Sequence, residues 1–78
     1  MAAKELLKEV EKTVDWAGEL GDQWTGTTVG RILDSERDNL LSIVKANDLE
    51  LASVAVINLM QTCMYAEQQL NITEEQNA

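Results

Sequence analysis

The feature that most constrains the fold is an apolar segment in the second half of the chain. Residues 47–70 read NDLELASVAVINLMQTCMYAEQQL, and their apolar positions alternate between spacings of three and four, the period of one helix face. These positions are Leu49, Ala52, Val56, Leu59, Cys63, Ala66 and Leu70, with Ile57, Met60 and Met64 widening the stripe beyond half the circumference. Because so broad an apolar arc normally has neighbours on two sides, we expect a long central helix capped by Asn47 or Asp48.

A second stretch of helical spacing occupies the N-terminal region. One face is largely apolar and carries Leu6, Val10, Thr13, Ala17 and Leu20, while the opposite face carries Lys4, Lys8, Glu11, Lys12, Asp15 and Glu19. This pattern predicts an amphipathic helix. The chain contains no proline, so the glycine-bearing stretch GELGDQWTGTTVG at residues 18–30 is its strongest break, and we expect a turn there.

The middle of the chain predicts another helix, with one conflict in its pattern. Val29, Ile32, Leu33, Leu40, Ile43 and Val44 share a face if a helix runs unbroken from about residue 28 to residue 46. That register places Glu36 within the apolar stripe. Either Glu36 is partly buried and has a partner, or a new helix begins at Ser35 and leaves Glu36 exposed in its first turn. We favour the continuous helix with Glu36 near an edge of the stripe.

The connection between the second and third helices is short, which makes them an antiparallel hairpin. We therefore predict an all-α fold: a small three-helix domain over residues 1–72, with a long central C-terminal helix paired with helix 2. The polar residues 73–78 are predicted to form a tail that frays. A chain of 78 residues buries only about 60% of its unfolded surface, so additional contacts would help its stability.

Composition narrows the function. Fourteen acidic residues against six basic ones give a net charge of -8, which disfavours nucleic acid and anionic membrane surfaces and suits a protein partner with a basic surface. The chain has no histidine, one cysteine and no phosphate-binding loop motif. We therefore expect neither an enzyme nor any catalytic, metal-binding or cofactor-binding residue.

The sequence also predicts where the protein is located. The N-terminus lacks an apolar run of signal-peptide length, and residues 51–66 are short for a membrane span and interrupted by Asn58, Gln61 and Thr62. The single cysteine fits a reducing compartment. We expect a soluble cytoplasmic protein that does not bind membranes.

Apolar residues on the polar side of the third helix indicate an interface. Leu51 lies toward that side with the residues expected to form the contact, which are Val54, Asn58, Gln61 and Tyr65. Two helices cannot easily cover all of this side, so we predict a homodimer or a partner groove there. Scattered exposed apolar side chains are also ordinary on protein surfaces.

Two further sets of residues are candidates for recognition. Trp24, in the glycine-rich connection, is either a core anchor or an exposed hot spot for a partner, and Trp16, at the flank of the apolar stripe of the first helix, is also a core candidate. The second set is an acidic face on the first helix formed by Glu11, Asp15, Glu19 and Asp22. These carboxylates oppose the helix dipole and each other, so they form either a recognition face for a basic site or a solvated helix face.

Residues 33–36, LDSE, place an Asp-Ser pair near the middle of a small acidic helical chain. In this respect the segment resembles the position of the phosphopantetheine-bearing serine in acyl carrier proteins. The resemblance implies modification at Ser35. The sequence departs from that family by having Glu36 where Leu or Met follows the serine, and Leu33 where a glycine usually precedes the Asp-Ser.

Two main function classes follow. The first is a small acidic helical module that binds another protein, as an adaptor or as an inhibitor carried by a phage or mobile element and directed at a host protein. The second is a self-associating structural or accessory subunit. The acyl-carrier-like protein is the remote alternative.

Overall fold

The computed structural model describes the backbone of residues 2–77 and the side chains of residues 2–72. Over this range the chain forms three α-helices and no strand: α1 (Ala3–Gln23), α2 (Thr28–Lys45) and α3 (Leu49–Asn77). Each helix packs against the other two. The predicted all-α fold with three helices is therefore confirmed. The side chains of the predicted polar tail, residues 73–78, and the whole of Ala78 lie outside the described residues.

The core lies where the helical periodicity places it. All five residues predicted for the inner face of α1 are buried, and the polar one, Thr13, donates its hydroxyl proton to the Glu9 carbonyl over 2.7 Å. The stripe of α3 is likewise buried from Ala52 to Ala66. The buried apolar side chains are Leu6, Val10, Ala17, Leu20, Leu33, Leu40, Ala52, Val56, Leu59, Cys63 and Ala66.

The connection between α1 and α2 is a tight turn built on glycine and threonine. Gly26 has a φ of +80°, a left-handed conformation in which a residue with a Cβ is strained. Thr27 caps α2: its hydroxyl oxygen accepts a hydrogen bond from the Gly30 N–H at 3.0 Å, and it donates to the Trp24 carbonyl at 2.6 Å. A Cβ added to Gly30 would lie 2.2 Å from that carbonyl oxygen, so only glycine fits the turn.

The connection between α2 and α3 combines the end of one helix with the start of the next. Asn47 adopts a φ of +59°, and the N–H groups of Asn47 and Asp48 reach back to the carbonyls of Val44 and Ile43. This is the Schellman arrangement that ends many helices. The Asp48 carboxylate then accepts the Leu51 N–H at 3.1 Å, so Asp48 caps α3 as one of the two predicted residues.

Two short connections make α2 antiparallel to both of its neighbours, so α1 and α3 run in the same direction. The Trp16 indole N–H donates to the Glu67 carboxylate over 3.1 Å and ties these two helices together near their C-terminal halves. On the other side of α1, a Cβ added to Gly18 would lie 3.9 Å from the Arg37 Nε of α2. Arg37 therefore packs across α1 and away from α3.

The helix in the middle of the chain is continuous, which confirms the favoured register. Ser35 is exposed in the interior of α2 and caps nothing, and Glu36 is half-buried with a partner on α3. One residue of the predicted inner face differs, because Ile32 is 45% exposed at the edge of α2. On α3, Ile57 and Met64 of the widened stripe are also exposed, since the two neighbouring helices cover only the centre of the arc.

Candidate functional site

The exposed side of α3 carries no charge over four turns. Residues 51–66 contain no Asp, Glu, Lys or Arg, although 26% of the chain is charged, and Glu50 and Glu67 bound this stretch. We define the outer face of α3 as the seven exposed residues within this uncharged stretch, which are Leu51, Val54, Ile57, Asn58, Gln61, Met64 and Tyr65. An uncharged exposed face on a chain with a net charge of -8 is an uneven surface that solubility alone does not explain.

Large apolar side chains dominate this outer face. Val54 and Tyr65 are each 54% exposed and Met64 is 61% exposed, although each would be more stable out of water. Val54, Asn58, Gln61 and Tyr65 follow one another at helical spacing, so the four residues predicted as a contact surface form one stripe. Tyrosine and methionine are enriched at protein interfaces, and charged residues are depleted at their centres.

A shallow depression of about 420 Å³ lies beside this stripe, between α3 and α2. Its lining residues are Ile32, Glu36, Asn58, Gln61, Thr62 and Tyr65. The Glu36 carboxylate accepts a hydrogen bond from the Thr62 hydroxyl over 2.6 Å, and that hydroxyl also lies 3.2 Å from the Asn58 carbonyl. The side chain that broke the apolar pattern of α2 is therefore positioned by α3 at the edge of the outer face.

No basic side chain neutralises this carboxylate within residues 2–72. The one ion pair in that part of the chain joins Lys12 to Glu9 at 4.0 Å on α1. A neighbouring thiol is affected by the same negative charge: the pKa of Cys63 is raised to about 11, mainly because burial disfavours the thiolate and further because Glu36 and Glu67 repel it. The α2 side of the outer face is thus apolar and electrostatically negative.

The α1 side of the outer face is different in character. A cleft of about 470 Å³ separates α1 from α3, and its mostly apolar floor includes Val56, Ile57 and Met60. Its rim carries both signs of charge, from Glu5, Lys8, Glu9 and Lys12. Ile57 belongs to both the cleft and the outer face, so apolar surface continues from one to the other.

The two tryptophans lie toward the C-terminal end of α1. Trp24 is half-buried and packs against the core, and its Nε1 is buried without a hydrogen-bond partner among the described residues. Trp16 lies two turns before Trp24 in the chain and donates a hydrogen bond to Glu67. Val54 precedes Glu67 by 13 residues, a separation of about 20 Å along a helix. The structure therefore does not place Trp24 beside Val54.

The predicted acidic face is present on α1 as one exposed surface. Glu11, Asp15, Glu19 and Asp22 are all exposed, and none of their carboxylates forms an ion pair within residues 2–72. Their spacing of four, four and three residues places them along one side of a continuous helix. This arrangement is available to a basic partner and is equally compatible with a solvated face.

Two further features of the described residues concern metal binding and membrane spanning. No group of three or more His, Cys, Asp or Glu side chains there is arranged to hold a metal ion. The segment Leu49–Ile72 of α3 reaches a mean hydropathy of 1.3 and is long and apolar enough to cross a membrane by length and composition, with 28% of that window buried. The same segment supplies the α3 part of the core.

Sequence reasoning found the central stripe of this site but missed its borders. Ile32 was expected in the core, and Thr62 was not linked to Glu36, because both assignments depend on how α2 and α3 pack. Ile57 and Met64 carried a signal, since an arc wider than two neighbours can cover leaves residues exposed at its margin. No protein-family model, no curated protein and no solved structure matches the chain.

Proposed function

We propose that this chain is a protein-interaction module that binds another protein through the outer face of α3. The observation that carries the proposal is the run of seven exposed, uncharged residues on one helix of a strongly acidic chain. Five of the seven are large apolar side chains, and such a patch on a small domain is typical of a binding surface. By binding its partner, the module acts either as an adaptor or as an inhibitor of that partner.

The charge distribution supports a partner with a basic rim. Glu50 and Glu67 bound the uncharged stretch of the sequence at its two ends, and Glu36 lies at the α2 edge of the outer face. A partner that presents an apolar centre surrounded by Lys and Arg would match this pattern. The net charge of -8 would also accelerate its association at low salt.

Self-association through the same face is the second candidate function. The exposed apolar side chains favour it, because a small domain gains stability by burying them. The acidic ends oppose it: parallel pairing of two α3 helices brings like residues together, and antiparallel pairing about residue 58 brings Glu50 of one copy near Glu67 of the other. We therefore rank a different protein first. Sedimentation equilibrium at about 100 μM distinguishes the two, since even a micromolar dimer is well populated there.

Capture from a lysate of the native host, with matched variants, tests the main proposal. The double variant Val54→Asp, Tyr65→Lys changes the outer face without changing net charge. The control Asn39→Lys, Ser42→Asp makes the same charge changes at exposed positions of α2. The proposal predicts one stoichiometric partner that the wild type and the control retain and the outer-face variant loses. Equal retention by all three proteins would overturn it.

A further inference from the structure

The depression beside Tyr65 has the chemistry of a receptor for one long basic side chain. Its apolar components are Ile32 and the ring of Tyr65, and its polar components are the Glu36 carboxylate and the amides of Asn58 and Gln61. Arginine has both kinds of component, since an aliphatic stem precedes a planar cation. We propose that this depression receives an arginine side chain of the partner protein.

The carboxylate is held ready for such a contact. The Thr62 hydroxyl donates to Glu36 Oε1 over 2.6 Å and fixes the orientation of the group at the rim. Positioned carboxylates bind guanidinium groups with two parallel hydrogen bonds, which a mobile surface carboxylate does less well. Tyr65, which lines the same depression, supplies an aromatic ring on which a guanidinium can stack.

Among the residues whose side chains the structure describes, no lysine or arginine lines this depression. Arg37, next in sequence to Glu36, packs toward Gly18 of α1, where its Nε is buried without a partner among the described residues. Burial is the main cause of the raised pKa of the Cys63 thiol, and the negative charge of Glu36 adds to it. A partner's guanidinium would neutralise that charge.

Arginine fits the depression better than the other cations. A bound divalent metal requires several oxygen ligands, and the lining offers a single carboxylate. Lysine carries a compact, strongly hydrated charge that neither stacks nor bonds in pairs, so it would use less of the site. The exposed apolar residues of the outer face would surround the arginine and exclude water from the contact.

This inference rests on the proposed function, and its test uses a small probe that needs no partner. The probe is N-acetyl-arginine methylamide, titrated into ¹⁵N-labelled full-length protein and followed by two-dimensional NMR. The matched probe is the citrulline analogue, which has the same shape without the charge. We expect saturable shifts at the amides of Asn58, Gln61 and Thr62 with the arginine probe at concentrations up to about 50 mM, a range that detects weak single-residue contacts.

Two variants with the same charge change complete the experiment. Glu36→Gln removes the carboxylate of α2 and keeps an oxygen that can accept from Thr62. Glu50→Gln removes an exposed carboxylate of α3 outside the depression. We expect Glu36→Gln to weaken probe binding at least about fivefold, the loss of a charge-assisted hydrogen bond, and Glu50→Gln to leave it within about twofold. Unchanged amide dispersion shows that each variant is folded.

The outcomes separate this inference from the proposed function. No saturable shift, equal binding of the citrulline probe, or equal weakening by both variants overturns the arginine site, whatever the capture experiment gives. Probe binding that depends on Glu36 supports the site even if no partner is captured. In that case the proposed function fails and the arginine site stands.

Discussion

The hydroxyl of Thr62 donates a 2.6 Å hydrogen bond to the carboxylate of Glu36, linking the middle of α2 to α3 across 26 positions of the chain. This contact explains how a glutamate is accommodated at the edge of the buried stripe of α2. It also places that carboxylate beside Asn58, Gln61 and Tyr65, three residues of the outer face. The Glu36–Thr62 pair thus contributes both to the packing of α2 on α3 and to the candidate site.

Removing one member of this pair is expected to lower the free energy of unfolding more than removing both. Thr62→Val leaves the half-buried Glu36 carboxylate without its partner and should lower the free energy of unfolding by about 1–2 kcal/mol. The double variant Glu36→Leu, Thr62→Val replaces both groups with apolar ones and should recover most of that loss or exceed the wild type. Urea unfolding followed by circular dichroism measures both. A double variant no more stable than Thr62→Val would contradict the coupling of the two side chains.

Glycine substitutions should have opposite effects at two positions. Gly30→Ala would place a Cβ 2.2 Å from the Trp24 carbonyl oxygen, a backbone atom that cannot yield, so we expect a loss of several kcal/mol or failure to fold. Gly18→Ala meets only the Arg37 side chain at 3.9 Å within α1 and should add up to about 1 kcal/mol through helix propensity. Thermal unfolding of both variants checks the prediction, and equal melting temperatures would contradict it.

Stability should fall between pH 9 and pH 11 because of Cys63. Burial raises the pKa of this thiol from 9.0 to about 11, and Glu36 and Glu67 add to the effect. Above pH 9 the unfolded chain loses the thiol proton while the folded chain keeps it, so the unfolded state binds fewer protons and the free energy of unfolding decreases as pH rises. The contribution of Cys63 is fully present below pH 9 and should fall by about 2 kcal/mol by pH 11.

The variant Cys63→Ala isolates the contribution of this thiol from that of the rest of the chain. Its absolute stability is expected to be lower, since the substitution removes a buried sulfur. The slope of unfolding free energy against pH is the relevant quantity. Urea unfolding at pH 8, 9, 10 and 11 should give a shallower decline for Cys63→Ala than for the wild type, and identical slopes would rule out the raised pKa.

The exposed apolar residues of α3 are expected to bind protein rather than lipid. Membrane insertion of Leu49–Ile72 would require α3 to leave the core, where Leu59 and Cys63 have no exposed surface. Glu50 and Glu67 at the two ends would also be repelled by anionic headgroups. We predict that the protein stays at the bottom of a flotation gradient with vesicles of phosphatidylcholine, with or without phosphatidylserine. Flotation with either vesicle would assign the outer face to a membrane.

The helices and their inner faces could be predicted from the sequence because periodicity records which residues face a neighbour. The buried face of α1 was found in full, and the glutamate conflict in α2 was resolved in favour of the expected register. Asp48 was identifiable as a cap because its carboxylate acts within one turn of its own backbone. Each of these features depends on residues that are close in the chain.

Features that depend on how helices pack could not be predicted in the same way. Whether Ile57 and Met64 are covered depends on the distance and angle of two neighbours, and periodicity specifies neither. The pairing of Glu36 with Thr62 depends on the register between α2 and α3. Thr27 was missed as a cap because the residue three positions later is Gly30, where a capping box would have Glu or Gln.

Site-specific photo-crosslinking in the native host shows whether the outer face of α3 contacts another protein. A benzophenone amino acid is placed at Val54, at Gln61 and, as the control, at Ser42 on the exposed side of α2. We expect one heavier adduct, containing a different protein, from positions 54 and 61 and none from position 42. Absence of an adduct at 54 and 61, equal adducts from all three positions, or an adduct between two copies of this chain would contradict it.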